Sequence, residues 1–222
     1  MKKNSILLLL LLTTAIGTAQ QIYVEAGKTL ASFDYKNSQG NSLENLQSTA
    51  HSFMTVGYRD QIFTKNLNGS IGVAYAGYGA IGSDDTVGNF MEWAVNYLEF
   101  NAGLDYELYK IKETAIYIKG ATSAAFLVQG TQTLNNKVIN LKNVDDFNNA
   151  VFNFRIGLGI SYPISENLSV YAQYMVGKSL NMAKGDESLK IKSNNVSFGL
   201  LINISKNKQQ KQETTKKILP KK

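Results

Sequence analysis

The chain of 222 residues contains 18 Gly, 12 Tyr and 10 Phe but only 2 Pro, a composition that favours β-sheet with tight turns over helix. It contains no Cys, which excludes disulfides, thiolate metal sites and Cys nucleophiles. The formal net charge is +6, but it is concentrated at the two ends of the chain: Lys206 to Lys222 contains seven Lys and one Glu, and two further Lys lie near the N-terminus. The rest of the chain has a net charge of −2. The basic pI therefore gives no indication of nucleic-acid binding, and no nucleic-acid partner is predicted.

The first residues have the three parts of a secretory signal peptide. Lys2 and Lys3 are basic, Ile6 to Leu12 is an unbroken apolar run, and Gly17-Thr18-Ala19 supplies the small residues of a cleavage site before Gln20. The apolar run is much shorter than the ~20 residues of a membrane-spanning helix. We therefore predict a signal peptide over residues 1–19 and Sec-dependent export.

Eight segments of the exported chain alternate apolar and polar residues with the period of a β-strand. In chain order they are Ile22–Tyr35, His51–Arg59, Ser70–Ile81, Asn96–Leu108, Ala115–Val128, Val151–Tyr162, Leu168–Leu180 and Asn195–Ile204. The first of them changes register near Gly27, and a β-bulge is one explanation.

The links between these segments alternate in length. Long polar links are predicted at Lys36–Thr49, Gly82–Trp93, Gln129–Asn149 and Asn181–Ser193, and short ones at Asp60–Leu67, Tyr109–Glu113 and Ile164–Asn167. Short turns at one end and long loops at the other are typical of transmembrane β-barrels. A strand of 13 residues is roughly 43 Å long at ~3.3 Å per residue, and at ~45° tilt it spans about the ~30 Å of a bilayer core.

Alternation does not reveal which face is inside. A soluble lipocalin-like barrel would enclose Leu98 and Phe100, whereas a membrane barrel would turn them outward and enclose Glu99. The polar faces are rich in Gly and Ala, and such small residues suit the cramped interior of a narrow barrel. Aromatic residues are predicted to form two interfacial girdles, Tyr58, Tyr106, Tyr109 and Tyr162 by the short turns and Phe90, Trp93, Phe126 and Phe152 by the long loops. These features favour a closed, antiparallel, up-and-down, eight-stranded transmembrane β-barrel of the all-β class.

The last strand adds a family pattern. Ser197-Phe198-Gly199-Leu200-Leu201-Ile202-Asn203-Ile204 has the order polar, any, Gly, two of any, apolar, any, apolar. With the strand layout, residues 20–205 resemble the small outer-membrane barrels of the OmpA/OmpX type, within the porin-like "outer membrane protein beta-barrel" group. In that group the pattern is an assembly signal, although the strand often ends in an aromatic residue, whereas this one ends in Ile204 and a tail follows.

The resemblance implies a place for the protein and several partners. It implies a Gram-negative outer membrane with both termini in the periplasm, contact with outer-membrane lipid, and contact with the barrel-assembly machinery through strand 193–205. Residues 206–222 form a basic tail with the composition of a disordered segment. Weak contact of that Lys-rich tail with peptidoglycan is a further expectation.

Polar groups inside a narrow barrel must satisfy one another or bound water. Asp105 and Lys119 share one face at similar distances from the turn near Ile111, so we predict an ion pair between them. The lumen network is predicted to extend to Glu99, Glu107 and Arg155. In the next hairpin, we expect Tyr171 and Gln173 to face Gly157 and Gly159 and to fill the space that these glycines leave.

The sequence offers little that points to catalysis or to a metal or other cofactor, and none of these is predicted. The only His, His51, is adjacent to Ser52, so the two side chains are expected on opposite faces of a strand. The pairs Asp84-Asp85 and Asp145-Asp146 lack the spacing of a calcium loop. The predicted function is a non-enzymatic outer-membrane barrel with a filled lumen and a structural or surface-interaction role through long extracellular loops. Two alternatives are a soluble periplasmic lipocalin-like barrel with an apolar ligand and a lipid-modifying outer-membrane enzyme.

Overall fold

The structure is a computed structural model that describes residues 21–42, 45–84, 89–144, 147, 149–183 and 185–204. The predicted signal peptide, the predicted basic tail, Asp85, Asp145 and Asp146 lie outside the described residues.

The described chain consists almost entirely of β-strands. The strands are β1 (Gln21–Lys36), β2 (Gln47–Gln61), β3 (Leu67–Asp84), β4 (Asn89–Ile111), β5 (Thr114–Leu134), β6 (Lys137–Asn140), β7 (Val151–Pro163), β8 (Leu168–Ser179) and β9 (Ser188–Asn203), with a 3-10 helix at Leu141–Asn143. Among the described residues, no helix is long and apolar enough to cross a membrane.

The strands form one closed antiparallel ring. Strands β1 to β5 pair in chain order, β5 pairs with β7, β7 to β9 again pair in chain order, and β1 closes the ring by pairing with β9. Strand β6 lies outside the ring and pairs with the end of β5 through a turn in which Asn135 and Asn136 both have positive φ. The ring of β1–β5 and β7–β9 confirms the predicted eight-stranded, up-and-down barrel.

The barrel has its large apolar side chains on the outside. Phe100 is 53% exposed, whereas its neighbour in β4, Glu99, is 1% exposed. The same holds for Leu104 and the buried Asp105. This distribution is the reverse of that in a soluble barrel, and it matches the orientation expected for a membrane barrel.

The strands are longer than a bilayer requires. Strand β4 has 23 residues, which at ~3.3 Å each make about 76 Å. On its outer face, β4 is apolar from Leu98 to Leu108 and polar at Asn96 and Glu92, which lie nearer the long loops. On its inner face, the buried Glu99 is followed in the same direction by Tyr97 and other buried apolar residues. The polarity of the two faces therefore inverts, and the segment toward the long loops is organised like a soluble barrel. We call the apolar outer zone, which on β4 runs from Leu98 to Leu108, the belt, and we describe positions nearer the long loops as above it.

The inversion explains the irregular pattern of the first strand. Strand β1 keeps an unbroken register with β2 from Gln21 to Ala31 and with β9 as far as Lys36, so a bulge near Gly27 is not the explanation. What changes along β1 is the environment of its faces, because Phe33 is buried inside and Asp34 lies on the outer wall. The irregular pattern of β1 therefore reflects a change in the surroundings of its two faces and not a change of register.

The same inversion corrects two other predictions. The expected loop Gly82–Trp93 is strand at all its described residues, and Gln129–Asn149 is strand at 129–134 and 137–140, because β3, β4 and β5 continue above the belt. Trp93 is not part of an outer girdle. It is buried inside, where its ring makes an edge contact with Phe33 at a centroid distance of 6.0 Å.

Apolar side chains close the interior at the end of the long loops. Leu141 and Phe147 of the β5–β7 connection and Met182 of the β8–β9 connection are buried there against strand residues. This loop-end cluster contains Ala31, Phe33, Ala76, Tyr78, Ala80, Trp93, Val95, Tyr97, Ala125, Leu141, Phe147, Val151, Met182, Leu189 and Ile191. The barrel thus has a packed apolar core above a polar lumen.

Candidate functional site

The lumen below the loop-end cluster holds layers of charged side chains. The layer nearest the short turns is centred on Arg59 of β2 and Asp105 of β4. Arg59 donates to both carboxylate oxygens, with Nε 3.2 Å from Oδ1, and its Nη1 donates to Gln21 Oε1 at 2.7 Å. Asn68 Nδ2 donates to the same carboxylate at 3.3 Å. A forked guanidinium on a carboxylate is a strong, geometrically specific pair, and here it links strands β1 to β4.

This pair differs from the one expected for Asp105. Asp105 and Lys119 are direct cross-strand neighbours, as the hairpin predicts, but their charged groups do not pair. The Lys119 ammonium instead lies 5.8 Å from the centre of the Tyr23 ring. The guanidinium of Arg59 offers a fork that a single ammonium lacks, which explains why it is the partner of Asp105.

The middle layer joins Glu99, Arg155 and Tyr78. Arg155 Nη2 lies 2.9 and 2.8 Å from the two oxygens of Glu99. The Tyr78 hydroxyl donates to Glu99 and accepts from Arg155, and Asn153 Nδ2 donates to Glu99 at 3.4 Å. The two predicted network members Glu99 and Arg155 therefore lie in contact with each other. Glu107 lies on the inward face but forms no ion pair with another described residue.

Glu25 of β1 forms a third centre without a cation. Its carboxylate accepts from the Tyr171 hydroxyl at 3.0 Å and from Gln173 Nε2 at 2.8 Å, and Gln173 Oε1 accepts from the Tyr117 hydroxyl at 3.2 Å. Glu25 and Lys119 both line a cavity of about 60 Å³ in the middle of the lumen. Since a water needs ~10–15 Å³, this cavity has room for bridging water between the two charges.

Tyrosine rings pack against glycines inside the barrel wall. The ring of Tyr117 covers Gly159, and that of Tyr171 covers Gly199 so closely that an added Cβ would overlap either ring. In the expected pairing, Gln173 does face Gly159, but Tyr171 faces Ser161 on β7 and fills the space at Gly199 on β9 instead. Ring-over-glycine packing supports strands that lack their own side chains at these points.

The arrangement offers little for catalysis or metal binding. His51 Nε2 lies 2.8 Å from Thr49 Oγ1, whereas the Ser52 hydroxyl accepts from Lys28, so His51 and Ser52 do not form a nucleophile and base pair. Within the described ranges, no three His, Cys, Asp or Glu side chains come together as metal ligands would. Asp84 ends β3, and its side chain is outside the described set.

The sequence contained a signal for one of the missed lumen residues and none for the others. Arg59 shares the inward parity of Thr55 in β2, so its position was readable, but its partner on β4 was not, because the two residues are separated by a whole strand. The contacts of Tyr78 with Arg155 and of Glu25 with Tyr171 form only in the closed barrel. Sequence spacing carries no information about such contacts across the lumen.

The comparisons with known proteins concern fold. No protein-family model matches the sequence, and no curated protein matches it significantly. Among solved structures, Neisserial surface protein A is 15% identical, with 82% of this chain and 97% of that chain covered and a TM-score of 0.47. OprG from Pseudomonas aeruginosa is 12% identical, with 84% and 98% covered and a TM-score of 0.46. Ail of Yersinia pestis is 12% identical, with 83% and 99% covered and a TM-score of 0.37. The chain is thus similar to small outer-membrane β-barrels, and its own fold follows from its strand register and burial.

Proposed function

We propose that the protein is a non-enzymatic outer-membrane β-barrel that presents its upper barrel and long connections as an interaction surface. The observation that carries this proposal is the inside-out distribution of side chains in the belt. Leu98, Phe100 and Leu104 are exposed on the wall, while Glu99 and Asp105 are enclosed and paired. A lipid bilayer is the solvent in which this distribution is stable.

The belt argues against a soluble barrel. Soluble monomers rarely expose a contiguous apolar patch larger than about 600 Å². Here exposed apolar residues occur on every strand of the ring, among them Val24, Val56, Val73, Phe100, Phe126, Ile156, Tyr174 and Phe198. In water this surface would cause aggregation, whereas in a bilayer it would contact the acyl chains of the lipids.

The interior argues against a ligand-carrying lipocalin-like barrel. The described lumen contains cavities of about 60 and 20 Å³, which are lined by charged and hydroxyl groups. A small-molecule pocket is usually ~300 Å³ or larger and mostly apolar. A cavity of about 870 Å³ lies at the outer wall, where the small residues Ala102 and Gly120 leave a depression beside Leu104 and Phe154. Acyl chains would occupy such a depression in a membrane.

The filled lumen and the loop-end cluster support a role other than solute passage. Charge pairs span the lumen at two levels, and packed apolar side chains close it above. Interaction would then fall to the upper rim, since the turns at the opposite end are short. Periplasmic termini and delivery by the barrel-assembly machinery through strand 193–205 belong to the same proposal. Among the apolar residues of the assembly pattern, Phe198, Leu200, Ile202 and Ile204 lie on the outer wall, whereas Leu201 is buried inside.

The test is fractionation combined with a heat-modifiability gel. The full chain, produced in a Gram-negative host, should sediment with outer membranes, resist carbonate extraction, and migrate differently on a detergent gel before and after boiling. A protein recovered in the periplasmic fraction, with a single band in both lanes, would overturn the proposal. In planar bilayers the purified protein should give no steady conductance, and regular single-channel steps would contradict the closed lumen.

A further inference from the structure

Lysines are concentrated on one side of the outer wall, directly above the belt. Lys178 of β8 and Lys190 and Lys192 of β9 occupy outward positions on two adjacent strands, next to Asp34 of β1. We call these three lysines the basic wall patch. Asp34 is the acidic residue among them.

The patch is specific to this side of the barrel. On β3, β4 and β5 the outward residues at the corresponding height are uncharged apart from Glu92, and they include Gly79, Asn96 and Gln129. Between Gln47 and Ser52, strand β2 carries no Lys or Arg, and its Thr49 and His51 side chains lie against the outward-facing Gly79. A general excess of lysine above the belt would place cations around the whole ring, which the described strands do not show.

Two of the lysines are held close together. Lys178 Nζ and Lys192 Nζ both lie 3.1 Å from Oδ2 of Asp34, and the two lysines are direct cross-strand partners. Half of each lysine side chain remains exposed. Hydrogen bonds from Lys192 and then Lys178 lower the pKa of Asp34, which lies above the belt. The two ammonium groups are therefore near enough to bind oxygens of one phosphate together.

The wall below the patch is suited to acyl chains. Val176 directly precedes Lys178 on the outer face of β8, and Asn194, Val196 and Phe198 follow Lys192 on that of β9. Phe198 is 69% exposed, and Phe154 is the cross-strand neighbour of Lys178. Cations therefore lie at the height where headgroups meet water, in direct continuity with an apolar surface.

We propose that the basic wall patch binds the phosphorylated headgroup of a membrane lipid whose acyl chains lie against Val176, Val196 and Phe198. The inference rests on the proposed membrane location. It adds a ligand class and a position on the wall, namely the β1–β9–β8 side above the belt. The lipid is the occupant because charge complementarity and the apolar wall occur together, whereas a free phosphate would use the cations alone.

Native mass spectrometry of the full chain in zwitterionic detergent tests the proposal. The probe is an equimolar mixture of phosphatidic acid and phosphatidylcholine, and the readout is the ratio of the two bound lipids. The wild type should retain phosphatidic acid preferentially. The double variant Lys178→Gln/Lys192→Gln should lose about tenfold of that preference, since each lysine near an anionic headgroup contributes a several-fold effect.

Matched variants separate binding from folding. Lys110→Gln/Lys112→Gln makes the same change of charge at exposed lysines of the short-turn end and should keep the wild-type ratio. Lys178→Arg/Lys192→Arg keeps the charge and should bind as the wild type does. Asp34→Asn removes the competing carboxylate and should raise the phosphatidic acid ratio a few-fold, whereas a merely structural role for Asp34 would lower it. Each variant is first checked for its folded band on an unboiled gel.

The outcomes distinguish this inference from the proposed function. If the Gln variants at both ends bind phosphatidic acid equally, or if inorganic phosphate at the lipid concentration displaces the lipid fully, the basic wall patch is not a lipid site. Either result leaves the membrane location intact, because fractionation of the wild type tests that separately. If the wild type fails to enter the outer membrane, both proposals fall.

Discussion

Replacing Leu104 by Arg separates a barrel in lipid from a barrel in water. Leu104 lies at the middle of the apolar outer run of β4, between Leu98 and Leu108, and it is 53% exposed. An exposed position in water tolerates such a change within about 0.5 kcal/mol. At the midplane of a bilayer, the same change on a barrel wall costs about 2–4 kcal/mol. We therefore expect Leu104→Arg to lower the free energy of unfolding by about 3 kcal/mol.

The matched control is Gln129→Arg on the neighbouring strand β5. Gln129 is also exposed and pairs with Asn96, above the belt. This variant should unfold within about 0.5 kcal/mol of the wild type, because its guanidinium reaches water. The assay is urea unfolding in phosphatidylcholine vesicles, followed by the fluorescence of Trp93, the only Trp of the chain. Equal unfolding midpoints for the two Arg variants would refute the membrane reasoning.

Three other predictions concern the lumen and the outer wall. Arg59→Gln leaves the buried Asp105 carboxylate without its cation and should destabilise the barrel by up to about 3 kcal/mol. Lys119→Ala removes only a contact with the Tyr23 ring and should cost about 1 kcal/mol. If Lys119→Ala lowered the urea midpoint more than Arg59→Gln, Lys119 would be the main partner of Asp105. Gly159→Ala collides with the ring of Tyr117 and should cost about 1–3 kcal/mol. At Gly120, where an added Cβ meets nothing within 4 Å, the same change should be nearly neutral, and equal effects on the melting temperature would refute the packing account. Hydrogen bonds lower the pKa of Asp34 below its ordinary 3.8, so its contribution to stability is present above pH 3.8 and is lost as the pH falls through the lowered pKa. Asp34→Asn should therefore flatten this part of the plot of stability against pH. An unchanged plot would contradict the stabilising role of Asp34.

The sequence predicted the barrel because alternation of apolar and polar residues is a local property. The outward position of Phe100 and the inward position of Glu99 follow from parity once the orientation is chosen. The height at which the chain leaves the membrane was not predicted. Above that height the apolar residues turn inward, as Phe33 and Trp93 do, so strands there were mistaken for polar loops or for a bulge.

The lumen contacts were only partly predictable for a different reason. Lys119 was correctly placed across from Asp105 by counting from a short turn. Which cation reaches the carboxylate depends on side-chain shape and on barrel closure, and Arg59 reaches it from two strands away. Glu99 and Arg155 were recognised as inward-facing, but their contact with each other and with Tyr78 crosses the lumen and required the closed ring.

The orientation of the wall is tested most directly by spin labels on single cysteines, since the natural chain contains no Cys. Labels at Phe100 and Ile156 in the belt and at Gln129 above it would be compared in lipid vesicles for collision with oxygen and with a water-soluble nickel complex. We predict high oxygen and low nickel accessibility at Phe100 and Ile156, and high nickel accessibility at Gln129. Nickel accessibility as high at Phe100 and Ile156 as at Gln129 would contradict a belt that faces lipid.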